Sequence, residues 1–147
     1  MTKKVTTTAN NKTHNKSYNG FIRGLDISDV RLTSATIENI ECSYMPSEAV
    51  IKWRTASSYE NKGNRIEIIH RYNVRVLEKN IDLKAKIKVV FCVTYESETP
   101  MNDDYFERFK TRNLPLNTWP YFREYIHNSL SRMGWSSFVA PAYIIQP

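Results

Sequence analysis

Three histidines, two cysteines and one tandem of aspartates are the residues of this 147-residue chain best suited to metal or acid–base chemistry. Their spacing points away from both. His14, His70 and His127 lie far apart and give no metal-ligand pattern. His70 falls in an apolar-alternating stretch, where a hydrogen-bonded core imidazole is the simpler reading; the alternative is an approach to Cys42 or Cys92 in the fold. Asp103-Asp104 precedes a helical pattern, so its charges suit a helix N-terminus better than an acid/base pair. The four glycines (Gly20, Gly24, Gly63 and Gly134) are scattered, and no phosphate-cradling loop can be built from them. No serine sits in a nucleophile elbow. The chain therefore reads as a non-enzyme, with no catalytic residue, metal or cofactor expected.

Composition sets the remaining bounds. The length suits one domain that buries a core without disulfides. No run of about 18 apolar residues offers a membrane span, and the Met1–Thr6 opening is not followed by the apolar stretch of a signal peptide. Cys42 and Cys92 accordingly read as reduced residues in a cytoplasmic protein. The net charge is +6, but it is unevenly placed. Lys3, Lys4, Lys12 and Lys16 lie in residues 1–20 with no acid, while the rest holds 17 basic against 15 acidic groups. Residues 1–20 are expected to be a disordered basic tail, and residues 21–147 a single domain.

Period-2 patterning across residues 21–99, then helical patterning, predicts an α+β fold with an antiparallel sheet. Its clearest unit is a hairpin. Ile66, Ile68, Tyr72, Val74 and Val76 occupy even positions, whereas Leu83, Ala85, Ile87, Val89, Phe91, Val93 and Tyr95 occupy odd ones. A turn at Lys79-Asn80 would set Val76 opposite Leu83 and Tyr72 opposite Ile87, with both stripes on one face. Two earlier strands run through Val30–Tyr44, with a bulge near Glu38-Asn39, and through Ile51–Thr55. Residues 57–64 read as a loop, and a meander of four strands is the simplest assembly.

A short helix is expected near Asp103–Lys110, carrying Phe106 and Phe109. A longer one begins after Pro115, capped by Asn117 or Thr118, with Pro120 in its first turn and Gly134 past its end. Trp119, Phe122, Ile126, Leu130 and Met133 share one face, which Tyr121 and Tyr125 widen. Residues 138–145 are apolar and are expected to form an extended tail.

Two surfaces call for partners. Ten of the 18 aromatics fall between Tyr105 and Tyr143, more apolar area than one sheet face consumes. On the outer hairpin face the expected pairing puts Arg75 against Lys84 and Arg71 against Lys88, with Lys86 between. Such a face is either solvated and lysine-guarded or made for an acidic partner or nucleic acid. The absence of aromatics there speaks against a single-strand binder.

The C-terminal third resembles the SecB family of export chaperones. Leu116–Glu124, reading Leu-Asn-Thr-Trp-Pro-Tyr-Phe-Arg-Glu, is similar to the family's Pro-Tyr-aromatic-or-Ala-Arg-Glu helix start. Past the helix, Arg132-Met133-Gly134 and Phe138–Tyr143 resemble the family's Leu-Ala-Pro-containing segment. Thr55-Ala56-Ser57-Ser58, after the second strand, is similar to a further family fragment. The motif match covers about 30 residues, and the order of strands, helix and tail about 120. The resemblance implies a four-stranded sheet backed by helices and a homotetramer built as a dimer of dimers. It also implies ATP-independent capture of unfolded polypeptides. On that basis Tyr44, Met45, Ile51, Trp53, Tyr143 and Ile144 are candidate client-binding residues, and Trp119, Phe122, Tyr125, Ile126 and Leu130 candidate interface residues. The basic face of Arg71, Arg75, Lys84, Lys86 and Lys88 departs from the acidic face with which export-type members dock SecA. SecA is therefore a doubtful partner, and a dedicated client such as an antitoxin fits as well as export. The alternative is a basic nucleic-acid-binding or adaptor module.

Overall fold

A computed structural model of the chain describes residues 17–41 and 47–135. A short helix, α1 (17–23), leads into four strands: β1 (Asp26–Asn39), β2 (Ala49–Lys62), β3 (Arg65–Glu78) and β4 (Asp82–Glu96). Two helices come next, α2 (Asp103–Thr111) and α3 (Asn113–Arg132). The α+β class and the four-stranded antiparallel sheet agree with the sequence reading.

Strand order does not. The sheet runs β1-β4-β3-β2, a Greek-key arrangement in place of the expected meander. Burial explains the difference. β3 and β4 carry unbroken apolar stripes that are buried along their length, so both belong in the centre. A meander would have left β4 on an edge with Val89 and Phe91 half-covered. The more polar β1 and β2 take the edges instead.

The β3–β4 hairpin is present, but its register is corrected. Lys79 and Asn80 both adopt positive φ (50° and 61°), and the Ile81 amide donates to the Glu78 carbonyl at 3.0 Å. This turn pairs Leu77 with Leu83, which would set even positions against even ones. The two apolar stripes have opposite parity, so one extra residue is needed. Lys84 is that residue: beyond it Val76 faces Ala85, Val74 faces Ile87 and Tyr72 faces Val89.

β1 carries two further bulges, at Ser28 and Thr33, rather than one near Glu38-Asn39. Each bulged hydroxyl donates to a β4 carbonyl, Ser28 Oγ to Thr94 and Thr33 Oγ1 to Val90, both at 3.1 Å. The bulge at Thr33 is what switches the inner face from Val30 and Leu32 to Ala35 and Ile37. β2 continues through residues expected to be a loop, and ends only at Gly63, whose φ of +60° makes the turn. Its inner side chains there are polar but bonded: Ser57 to His70, Tyr59 to Asp103, and Asn61 to the Met101 backbone. That polarity hides the strand from an apolar count.

The α2 N-cap is Asn102, whose Oδ1 accepts from the Tyr105 amide at 2.8 Å. α3 starts at Asn113, earlier than expected, with Pro115 in its first turn and Pro120 inside it. Neither Asn117 nor Thr118 caps it. Thr118 is buried and shares a 2.6 Å hydrogen bond with the Tyr72 hydroxyl, while Asn117 Nδ2 donates to the Tyr95 hydroxyl. α1 also enters the body: Tyr18 and Phe21 are buried, and Tyr18 donates to Asn113 Oδ1 at 3.0 Å. The folded body therefore begins by residue 17, inside the stretch expected to be tail. The rest of that stretch, and the C-terminal segment expected to be an extended tail, lie outside the described residues.

Candidate apolar binding surfaces

The described helices are too short together to cover the whole of a sheet whose strands are 14 or 15 residues long. They cover its centre, where Tyr72 stacks on Phe122 with ring centroids 3.9 Å apart and Trp119 lies 5.1 Å from Phe122. Trp119, Phe122, Ile126 and Leu130 are thereby buried inside the protomer. This corrects their assignment to an intermolecular interface: the chain's own sheet consumes that helix face. Tyr125 is half-buried beside it.

Among the described residues, the uncovered area lies at the two edges. Along β1, Val30, Leu32 and Ile37 face Tyr121 and Tyr125 of α3 and Met133 at its C-cap across an open groove of about 490 Å³, floored by Phe91. Leu32 and Ile37 keep 45% and 43% of their surface exposed and Tyr121 47%, although all are apolar or aromatic. Glu124, Asn128 and Arg132 form its polar rim.

At the opposite edge, Ile51 and Trp53 sit on the helix side of β2. Trp53 leans on Trp119 at 5.2 Å yet remains 37% exposed. A second open groove, of about 540 Å³, runs along this edge and is lined by Ile51, Lys52, Trp53 and Arg54 of β2 with Asn73 and Arg75 of the outer face. Of the other candidate client residues, Tyr44, Met45, Tyr143 and Ile144 lie outside the described residues.

The outer face of the sheet is strongly basic over one half. Arg71, Arg75, Lys86 and Lys88 are exposed there, with Lys86 rather than Lys84 opposite Arg75. Lys52 pairs with Arg75 and Arg54 with Asn73, so β2 adds two cations that the hairpin pattern alone did not reveal. Lys84 leaves this group: as the bulged residue it bonds Glu41 at 2.8 Å, and that hydrogen bond raises its pKa. Toward the other end the charges pair among themselves, Lys62 with Glu67, Arg31 with Asp29 and, more loosely, Arg65 with Glu96.

Acid–base chemistry finds little footing. His70 and Ser57 share a 2.6 Å hydrogen bond through Nδ1, but Nε2 has no partner among the described residues and no carboxylate orients the ring. Burial pushes this imidazole down to about 4. Cys92 is a free thiol on the outer face and does not approach His70, which is inside; Cys42 lies outside the described residues. Among the described residues no group of three or more His, Cys, Asp or Glu side chains could hold a metal, and no helix is long and apolar enough to cross a membrane.

No protein-family model and no curated protein matches the chain. Its fold does have a solved counterpart. The chain is similar to the Mycobacterium tuberculosis Rv1957 SecB-like chaperone, solved in complex with a ChAD peptide from the Rv1956 HigA1 antitoxin. The TM-score is 0.74 over 89% of this chain and 99% of that one, at 11% sequence identity. That likeness shows a SecB-like fold.

Proposed function

We propose that this chain is an ATP-independent holdase that binds extended apolar segments of unfolded polypeptides in the cytoplasm, as a homotetramer arranged as a dimer of dimers. The observation that carries the reading is the exposed apolar surface on the helix side of both edge strands, Leu32 and Ile37 on β1 and Trp53 on β2. Each is too exposed for a core and too contiguous for chance surface residues. The fold neighbour's peptide complex supports the same role, and an antitoxin is one kind of client that this reading admits. Burial of apolar area supplies the binding free energy at about 25 cal/mol per Å², so no nucleotide or cofactor is required.

The two edges take different roles in this proposal. The groove between β1 and α3, long and flanked by Tyr121 and Tyr125, receives another copy of the chain. The β2 edge with Ile51 and Trp53 receives the client. Native mass spectrometry should show a tetramer near four times 17.2 kDa. Tyr125→Asp should shift the distribution to smaller species, because a carboxylate in an apolar interface is left unpaired at a cost of several kcal/mol. A wild-type chain that remains a 17.2 kDa monomer at micromolar concentration would defeat the assembly. Trp53→Ser, in turn, should lower suppression of aggregation of a heat-denatured test protein about tenfold in effective concentration while the oligomer persists. Unchanged suppression would remove Trp53 from the client site.

A further inference from the structure

The β2 edge offers more than apolar area. Among the described residues β2 is hydrogen-bonded to β3 alone, so its outer row of backbone N–H and C=O groups is open to another strand. Side chains alternate along it. Ile51 and Trp53 point to the helix side, and Lys52 and Arg54 to the outer side, where Arg75 stands beside them. The groove along that edge is lined by residues of both sets, with Asn73 and Arg75 on its outer side.

The outer set is unneutralised. Lys52, Arg54, Arg71, Arg75, Lys86 and Lys88 are all exposed, and none makes an ion pair among the described residues. The nearest acid on their rows is Glu38, on the far strand opposite Lys86. Like charges this close repel one another, Lys52 against Arg75 and Arg75 against Lys86 directly across strands. A ligand carboxylate would relieve that repulsion.

We infer that the β2 edge selects extended segments that alternate apolar and acidic residues, captured by strand addition. The inference rests on the holdase reading and specifies its client. A strand added to β2 repeats every second side chain on one face about 6.8 Å apart, the spacing of Lys52 and Arg54 themselves. Its apolar residues then meet Ile51 and Trp53 while its carboxylates meet Lys52, Arg54 and Arg75. The same cations reject a second copy of β2, which keeps the edge free for such clients. A nucleic acid fits less well: no aromatic side chain shares the outer face with these cations, and the rows beyond them present Glu60, Glu67 and Glu96 to an advancing phosphate backbone.

The test uses the full chain and three fluorescent peptides of about eight residues, alternating leucine with glutamate, serine or lysine. The glutamate peptide should bind at least about tenfold tighter than the lysine peptide, with a preference that shrinks as salt rises. The double variant Lys52→Glu/Arg54→Glu should invert that order, and the neutral Lys52→Gln/Arg54→Gln should abolish it. Arg65→Glu, at the paired end of the face, should leave it intact. Equal binding of the three peptides, an inversion by Arg65→Glu as well, or a short single-stranded oligonucleotide bound tighter than the glutamate peptide would each overturn the inference. Aggregation suppression measured on the same samples separates the two readings. Suppression without acidic preference sinks the selectivity alone, and loss of both suppression and peptide binding sinks the holdase reading with it.

Discussion

Replacing Phe122 with alanine is expected to destabilise the chain by about 3–5 kcal/mol, the cost of deleting a buried aromatic ring and leaving a cavity. The ring is 1% exposed, stacked on Tyr72 at 3.9 Å and an interplanar angle of 12°, and flanked by Trp119. None of these neighbours can collapse into the space easily, since Tyr72 is held by Thr118. In a chain of this size such a loss lowers the thermal midpoint on the order of 10 °C. Tyr125→Ala, on the same helix but half-buried at the groove, should cost less than about 1 kcal/mol of protomer stability. Urea unfolding at one fixed protein concentration compares the two directly, because assembly contributes by mass action. A larger loss from Tyr125 than from Phe122 would mean that the Phe122 ring is not the packed centre of the protomer.

That contrast marks where the sequence was informative and where it was not. The helix stripe of Trp119, Phe122, Ile126 and Leu130 was plain from its spacing, but spacing cannot say whether a sheet or a second chain covers it. The same limit applies to strand order. β3 and β4 announced themselves by continuous stripes of opposite parity, and those stripes dictate a hairpin with both on one face. They do not disclose that the turn alone gives the wrong parity and that Lys84 must bulge to restore it. The bulge moved Lys84 to Glu41 and brought Lys86 to Arg75, so the basic face was legible as a face but not residue by residue.

β2 was half legible for a different reason. Its first part shows Ile51 and Trp53 alternating with Lys52 and Arg54, while its second part spends inner positions on Ser57, Tyr59 and Asn61. Those side chains are held by His70, Asp103 and the Met101 backbone, contacts distant in sequence. A period-2 apolar count has no access to such partners. The β1 groove was missed likewise, because the bulge at Thr33 breaks the period that would have put Leu32 and Ile37 on one face. The Oγ–carbonyl bonds of Ser28 and Thr33 suggest the signal to look for: a Ser or Thr at each break in an otherwise regular alternation.

The other large expected effect is a loss of stability in mild acid that belongs to His70. The imidazole lies fully inside, with Tyr72 edge-on at 4.6 Å and Ser57 Oγ at 2.6 Å from Nδ1. Its pairing neighbours across the sheet are Ser57 on β2 and Phe91 on β4, neither of them charged. Protonation would therefore place a buried N–H on Nε2 with no acceptor, and burial holds the pKa down to about 4 against 6.5 in the open chain. The sign depends on which state takes the proton first. Below pH 6.5 the unfolded chain binds a proton that the folded chain refuses, so stability falls as pH drops and levels off once the folded state titrates near 4. The full window amounts to roughly 3 kcal/mol, at about 1.4 kcal/mol per pH unit. Urea unfolding of wild type and of His70→Gln across that window isolates the effect, since every surface carboxylate is common to both. The variant is expected to start less stable near neutral pH, having lost the imidazole's packing, and to decline far less steeply on acidification. Parallel curves would mean that the imidazole titrates normally in the folded state, and would require it to find water or an acceptor at Nε2.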